Sequence, residues 1–268
     1  MSRRAGYALR SLACLAALAP ACALAAAPDP LKPRSAGEPG HVEIGASHVR
    51  EELSNDPNDW SEDSLELLRK FGERKLLIGR LTRSERFGLK DDTVSLAGYH
   101  PSGERTTLYA EAAASDTHRV LPQYLLHLQL AHALGGGWGA IGGLRRLRYD
   151  TATVSVADLT LEYYFADFRV ALTALPSHSS SAGSAAALRL QGGWYYDGES
   201  NVQLVHASGD EVDQPTGVGA VVKTSVRSTV LYGTQWLGRD WAFTYTLGRT
   251  HQGDTTRDAA GIGLRRRF

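Results

Sequence analysis

The run Gly137-Trp138-Gly139-Ala140-Ile141-Gly142 has the spacing G-x-G-x-x-G. In dinucleotide-binding folds that spacing ends a strand and opens a helix, whose N-terminus receives a pyrophosphate. Here Leu144-Arg145-Arg146-Leu147-Arg148-Tyr149 follows, with more strand patterning after it. The glycines therefore read as a hairpin. Histidines are the second candidate. His127 and His132 lie five residues apart, and an odd separation on a strand turns two side chains to opposite faces. They cannot share a metal or a reaction, although His127 points the same way as Gln123 and Gln129. A Ser-His-Asp set is assembled in space rather than along the chain, and no motif places one. The expectation is no cofactor, no metal site and no enzyme.

Charged residues at alternate positions are the third candidate. Period two places Glu66, Lys70, Arg80, Glu111, Arg145, Asp158, Glu162, Arg169, Arg189, Arg227 and Arg265 on the faces opposite the apolar side chains. Two chemistries fit such a set. Paired charges can fill an interior and brace its wall, or an arginine-rich second half can form a polar channel that favours anions. A one-residue register slip reverses any single assignment.

The elements that must carry these residues are strands. Segments of about ten residues with period-two patterning run one after another. They are expected at 41–54, 62–71, 75–86, 91–101, 105–114, 121–134, 138–148, 152–166, 168–176, 184–196, 200–211, 224–238, 240–252 and 256–268. Phe168, Val170, Leu172 and Ala174 share one face while Arg169 and Thr173 take the other; Trp241, Phe243, Tyr245 and Leu247 alternate with Ala242, Thr244, Thr246 and Gly248. Every second join carries hairpin residues, such as Gly135-Gly136-Gly137, Ala166-Asp167 and Gly238-Arg239-Asp240. The other joins read as longer and polar, as at 55–62, 178–183 and 209–219. The aromatic residues Trp138, Phe165, Phe168, Trp194, Tyr196, Trp236, Trp241 and Phe268 collect beside the tight turns and the C-terminus. Aromatic rings settle at membrane–water interfaces. A soluble β-sandwich would need about half as many strands and has no reason to gather them at one end. The fold class is all-β: a transmembrane up-and-down antiparallel β-barrel of about 14 strands (alternative 12), with short periplasmic turns and longer extracellular loops.

Targeting agrees. Arg3, Arg4 and Arg10 precede an apolar stretch ending in Ala23-Leu24-Ala25, the plan of a secretory signal over 1–25 with cleavage after Ala25. Residues 26–40 form a flexible leader and 41–268 the barrel domain. Cys14 and Cys22 both lie in the signal, so residues after it offer no disulfide, thiolate ligand or Cys nucleophile. Losing three arginines and no acid from 29 basic and 29 acidic residues leaves a net charge of −3 with histidine neutral. That balance argues against nucleic-acid binding.

The order of several short pieces resembles the YaiO-type outer-membrane β-barrel family. These are Leu77-Ile78-Gly79-Arg80, Arg86-Phe87-Gly88, Leu121-Pro122-Gln123-Tyr124, Leu134 through Ala140, Leu161-Glu162-Tyr163-Tyr164-Phe165 and the terminal Gly263-Leu264-Arg265-Arg266-Arg267-Phe268. The resemblance implies an outer-membrane barrel without catalytic residues, associated with the cell envelope and with surface-polysaccharide systems. One departure is Arg266, where outer-membrane barrels carry an aromatic or apolar residue two before the final Phe.

Expected partners are outer-membrane lipids, the barrel-assembly machinery through the C-terminal strand, and envelope or polysaccharide systems. A structural or envelope-associated role leads. A passive pore for small anionic solutes and a lipid hydrolase are the alternatives.

Overall fold

Period-two sequence becomes strand throughout. The computed structural model describes residues 40–54, 59–72, 74–196, 199–213 and 221–268. The signal and all of the leader except Gly40 lie outside these, as do 55–58, 73, 197–198 and 214–220 within the expected joins. Fourteen strands are formed: β1 (Val42–Leu53), β2 (Trp60–Gly72), β3 (Lys75–Arg86), β4 (Leu89–Pro101), β5 (Thr106–Ser115), β6 (Tyr124–Gly135), β7 (Trp138–Arg148), β8 (Thr153–Phe165), β9 (Phe168–Ser179), β10 (Gly183–Tyr196), β11 (Ser200–Asp213), β12 (Val222–Leu237), β13 (Trp241–Gln252) and β14 (Thr255–Arg267). Each pairs antiparallel with its sequence neighbour, and β1 pairs with β14 to close the barrel. At the seam the two chain ends exchange backbone hydrogen bonds: Val42 N–H donates to Phe268 at 3.3 Å and Phe268 N–H returns to Val42 at 2.8 Å.

Three described joins on the extracellular rim are tighter than expected. Phe87 and Gly88 connect β3 to β4 with φ of 55° and 71°, the two consecutive positive values of a two-residue hairpin. Three residues join β9 to β10, and Gly253-Asp254 joins β13 to β14. The strands simply run further than the sequence pattern suggested. Residues 116–123, between β5 and β6, fold around two carboxylates. Asp91 accepts from the N–H groups of Val120 and Leu121, and Asp116 from those of Asp92 and Thr117. These backbone hydrogen bonds hold the Asp116 carboxyl below its ordinary pKa.

The outer wall is a band of apolar side chains, including Leu128, Leu159, Leu172, Leu190, Leu204 and Ile262. Toward the extracellular rim the phase of the alternation reverses. On β8, Leu159 and Leu161 face out, whereas Val154 and Val156 are buried inside. Leu147, Leu175, Ala185, Ala187 and Val212 join them in an interior apolar cluster. On the outside, cross-strand polar pairs form where the apolar band ends: His48–Asp63 at 2.8 Å, Arg83–Asp92 at 2.8 Å and Arg249–Asp258 at 2.6 Å. Water, not lipid, bathes this end, so the β7–β12 wall takes the apolar-in, polar-out arrangement of a soluble sheet.

Arg227 is corrected by this boundary. Expected in the lumen, it is exposed on the outer wall, opposite Ser208 and His251. Its neighbour Val226 is buried inside, because β12 has already changed phase there. A contrast follows. Leu128→Arg, at a position 64% exposed in the apolar band, is expected to destabilise the barrel by about 2–4 kcal/mol, whereas Arg227→Leu changes stability by less than ~1 kcal/mol. Denaturant unfolding in lipid vesicles measures both.

Candidate functional site

The lumen is where the chemistry-bearing residues converge. Apart from Arg227, the charges expected inside do face inward, on strands whose alternate residues face lipid. They form two clusters. The first crosses the seam. Arg265 donates to Glu43 at 3.1 Å and to Glu66 at 2.7 Å, and Arg80 closes on Glu66 at 2.5 Å. At the mouth beside the chain ends, Arg267 bridges Glu43 at 3.2 Å and Glu199 at 2.8 Å. One chain of charge thus links β1, β2, β3, β14 and the β10–β11 turn. Lys70 is also buried on this side.

The second cluster spans β5 to β9. His127 Nε2 lies 2.9 Å from Asp158 Oδ2, Arg145 Nη2 lies 3.4 Å from Oδ1, and the Gln129 amide donates at 3.3 Å. Arg169 meets Glu162 at 2.7 Å, and the Tyr109 hydroxyl donates to Glu111 at 2.8 Å. His127, Arg145, Asp158 and Glu162 are each at most 2% exposed. Gly143, in register with both Gln129 and Asp158, makes the room. A Cβ there would press into the Asp158 carboxylate and come within 2.7 Å of Gln129 Cγ.

Arg189 differs from its neighbours. It donates to Thr173 Oγ1 at 3.5 Å, its buried Nε has no hydrogen-bond partner, and it makes no ion pair among the described residues.

The remaining candidates resolve into structure. His127 faces in and His132 out, where His132 meets the Thr106 hydroxyl at 2.9 Å. The glycine run is the β6–β7 hairpin. Gly137 has φ +86°, and a Cβ on it would strike the Tyr164 carbonyl. Among the described residues no group of three or more His, Cys, Asp or Glu is arranged to hold a metal ion.

The aromatic belt lies outside, at the rim of tight turns. Rings run in contact from Trp138 to Tyr163 (4.7 Å between centroids), Phe165 (5.8 Å), Phe168 (5.6 Å), Trp194 (6.3 Å) and Tyr196 (4.7 Å). Trp241 and Phe268 flank Arg266, whose guanidinium lies 5.3 and 4.7 Å from their centroids. The departure at Arg266 is thereby accommodated: a cation at the interface rests on two π faces. Trp236 is the second correction. It faces inward at the periplasmic mouth, paired with the buried Ala242, and Arg267 lies 3.8 Å from its ring centroid. Outward positions on β12 are the odd ones, and the sequence carries no mark that separates Trp236 from the lipid-facing rings nearby.

Sequence reasoning also missed Glu43, Arg267 and Glu199. Glu43 and Arg267 were legible, since Ile44 and Leu264 face lipid and residues an odd number away must face in. Glu199 sits in a turn, where period two says nothing.

These features define a class: a closed fourteen-stranded antiparallel barrel with an apolar outer band, an aromatic girdle and a charged lumen, which is a β-barrel of the bacterial outer membrane. The chain belongs to the YaiO membrane beta barrel domain family, which matches residues 41–214. That match spans β1 to β11, less of the chain than the resemblance drawn from short motifs. No curated protein sequence matches it. Among solved structures it is similar to the CymD monoaromatic hydrocarbon channel, at 11% identity with a TM-score of 0.52, covering 86% of this chain and 88% of that one. It is also similar to the Acinetobacter baumannii outer membrane protein Omp33, at 10% identity with a TM-score of 0.50, covering 85% and 99%. At such identity the likeness is one of fold.

Removing one partner of a buried pair strands the other charge, whereas exposed pairs contribute little. Asp158→Asn is therefore expected to destabilise the barrel by about 3–5 kcal/mol, and Asp92→Asn, on the exposed outer pair, by less than ~1 kcal/mol. Parallel unfolding curves of the two variants distinguish them.

Proposed function

We propose that this barrel is a non-enzymatic, closed structural element of the outer membrane with an envelope-associated role. Its paired lumen charges brace the wall and do not conduct ions. The observation that carries this reading is neutralisation: Arg80, Arg145, Arg169, Arg257, Arg265 and Arg267 each meet a carboxylate inside the barrel. An anion filter needs cations free to coordinate a passing ion, and paired guanidiniums have spent that capacity on the wall. The apolar cluster inside the extracellular end and the Arg267–Trp236 contact at the periplasmic mouth support the same reading. On it, the partners are surrounding lipids, the assembly machinery through β14, and envelope or surface-polysaccharide systems.

A passive pore for small anionic solutes is the second reading. It is favoured by the inner wall of β1–β4, where Ser47, Ser64, Thr82 and Thr93 are small, hydroxylated and only partly buried. A cavity of about 90 Å³ lies beside this wall, over Glu66, Arg80 and Arg265. Planar-bilayer recording of the refolded protein (residues 26–268) decides between them. The closed reading predicts no discrete conductance from protein shown to be folded, and discrete steps in Glu43→Gln, which loosens the mouth. Stable, anion-preferring steps from the unmutated protein would overturn it.

A further inference from the structure

The charge balance around Arg189 is incomplete. Its guanidinium sits on the inner face of β10, in register with Thr173 on β9 and Ala207 on β11. Arg145 and Arg169 lie close enough to repel it, and Asp158 attracts it. Asp158 is already shared by His127 and Arg145, and Glu162 is taken by Arg169. On the β7–β10 wall Arg145, Arg169 and Arg189 face Asp158 and Glu162, and Arg189 is the one of the three that forms no ion pair among the described residues. An uncompensated charge in a largely buried site is costly, and the cost disappears when a partner of opposite sign is supplied.

We propose that the lumen holds a small monovalent anion of halide size against Arg189, with the Thr173 hydroxyl as a second donor. The unpartnered Nε–H and the weak 3.5 Å contact to Thr173 leave donors available. The anion's single charge completes the balance of the β7–β10 wall. Its neighbours fix its size: Gln191 is engaged with Gln203 at 2.5 Å and with Tyr232 at 3.0 Å, which leaves no reserve of donors for a multivalent oxyanion. This is a resident ion that completes the wall, so it differs both from a conducting path and from a lumen sealed by protein charges alone.

The test uses chloride as the probe. Thermal unfolding of the refolded barrel is followed in detergent at constant ionic strength while gluconate is exchanged for chloride. Binding stabilises only the folded state, so Tm should rise with the logarithm of chloride concentration above the dissociation constant, by about 3–6 °C at roughly ten times that constant. Arg189→Gln should abolish the rise, and Arg227→Gln, on the outer wall, should keep it. An unmutated protein whose Tm ignores chloride, or an Arg189→Gln variant that still responds, overturns the proposal. Should Arg189→Gln fail to fold, crystals of the unmutated protein grown in bromide decide it. An anomalous peak in contact with Arg189 is expected, and its absence refutes the site. Conductance tests the closed lumen separately, because a resident anion and a silent bilayer are compatible.

Discussion

Backbone closure is the constraint on which this molecule depends. In hydrocarbon no water satisfies an unpaired N–H or C=O, and each orphaned group costs several kcal/mol. A sheet that crosses a membrane therefore has no tolerable edge. The β1–β14 ladder, running from Glu43 opposite Arg267 to Leu53 opposite Arg257, removes the last one. Once it is made, the side chains have only two destinations, lipid and lumen, and every later feature follows from that division.

The lumen answers the division with paired charge. At the seam, the ladder is reinforced on its inner side by Glu43, Arg265, Glu66 and Arg80, so the closure that joins the first and last strands is tied twice. Across β5–β9 the same device is drier, and Gly143 is placed to let Asp158 reach His127 and Arg145. Such pairs contribute less to net stability than their Coulomb attraction suggests, because both ions must leave water. What they supply is register: a slip of one residue would drive guanidiniums into lipid and leucines into the lumen.

Most of this was legible in the sequence, for a physical reason. A membrane barrel repeats one rule of period two, and Leu188, Leu190 and Trp194 obey it as plainly as Leu264 and Ile262. Strand number and inward charges come from that rule alone. It fails where its premise fails. Arg227 lies beyond the apolar band, where the wall faces water and the phase turns over; the same reversal hides the apolar cluster of Val154, Val156 and Leu175. The clue was present in Val156-Ala157-Asp158-Leu159, where the apolar positions change parity without a glycine or a bulge. Trp236 failed differently, since a ring near a rim can face lipid or cap a mouth, and only the Arg267 contact distinguishes them. Glu199, in a turn, has no period to read.

On the proposed reading, paired charges close the lumen at the level of Asp158 and Glu162. Residues from 26 onward contain no cysteine, so a single engineered thiol reports one position. Ala171, in register with Glu162 and 2% exposed inside the barrel, is the position to use, with exposed Ser180 in the β9–β10 turn as the reference. The direct measurement is the labelling rate of Ala171→Cys and Ser180→Cys by a membrane-impermeant maleimide in the folded protein. A closed lumen predicts prompt labelling at 180 and none at 171 until the barrel is unfolded. Similar rates at both positions would show a water-filled passage through the charge cluster and contradict a closed lumen.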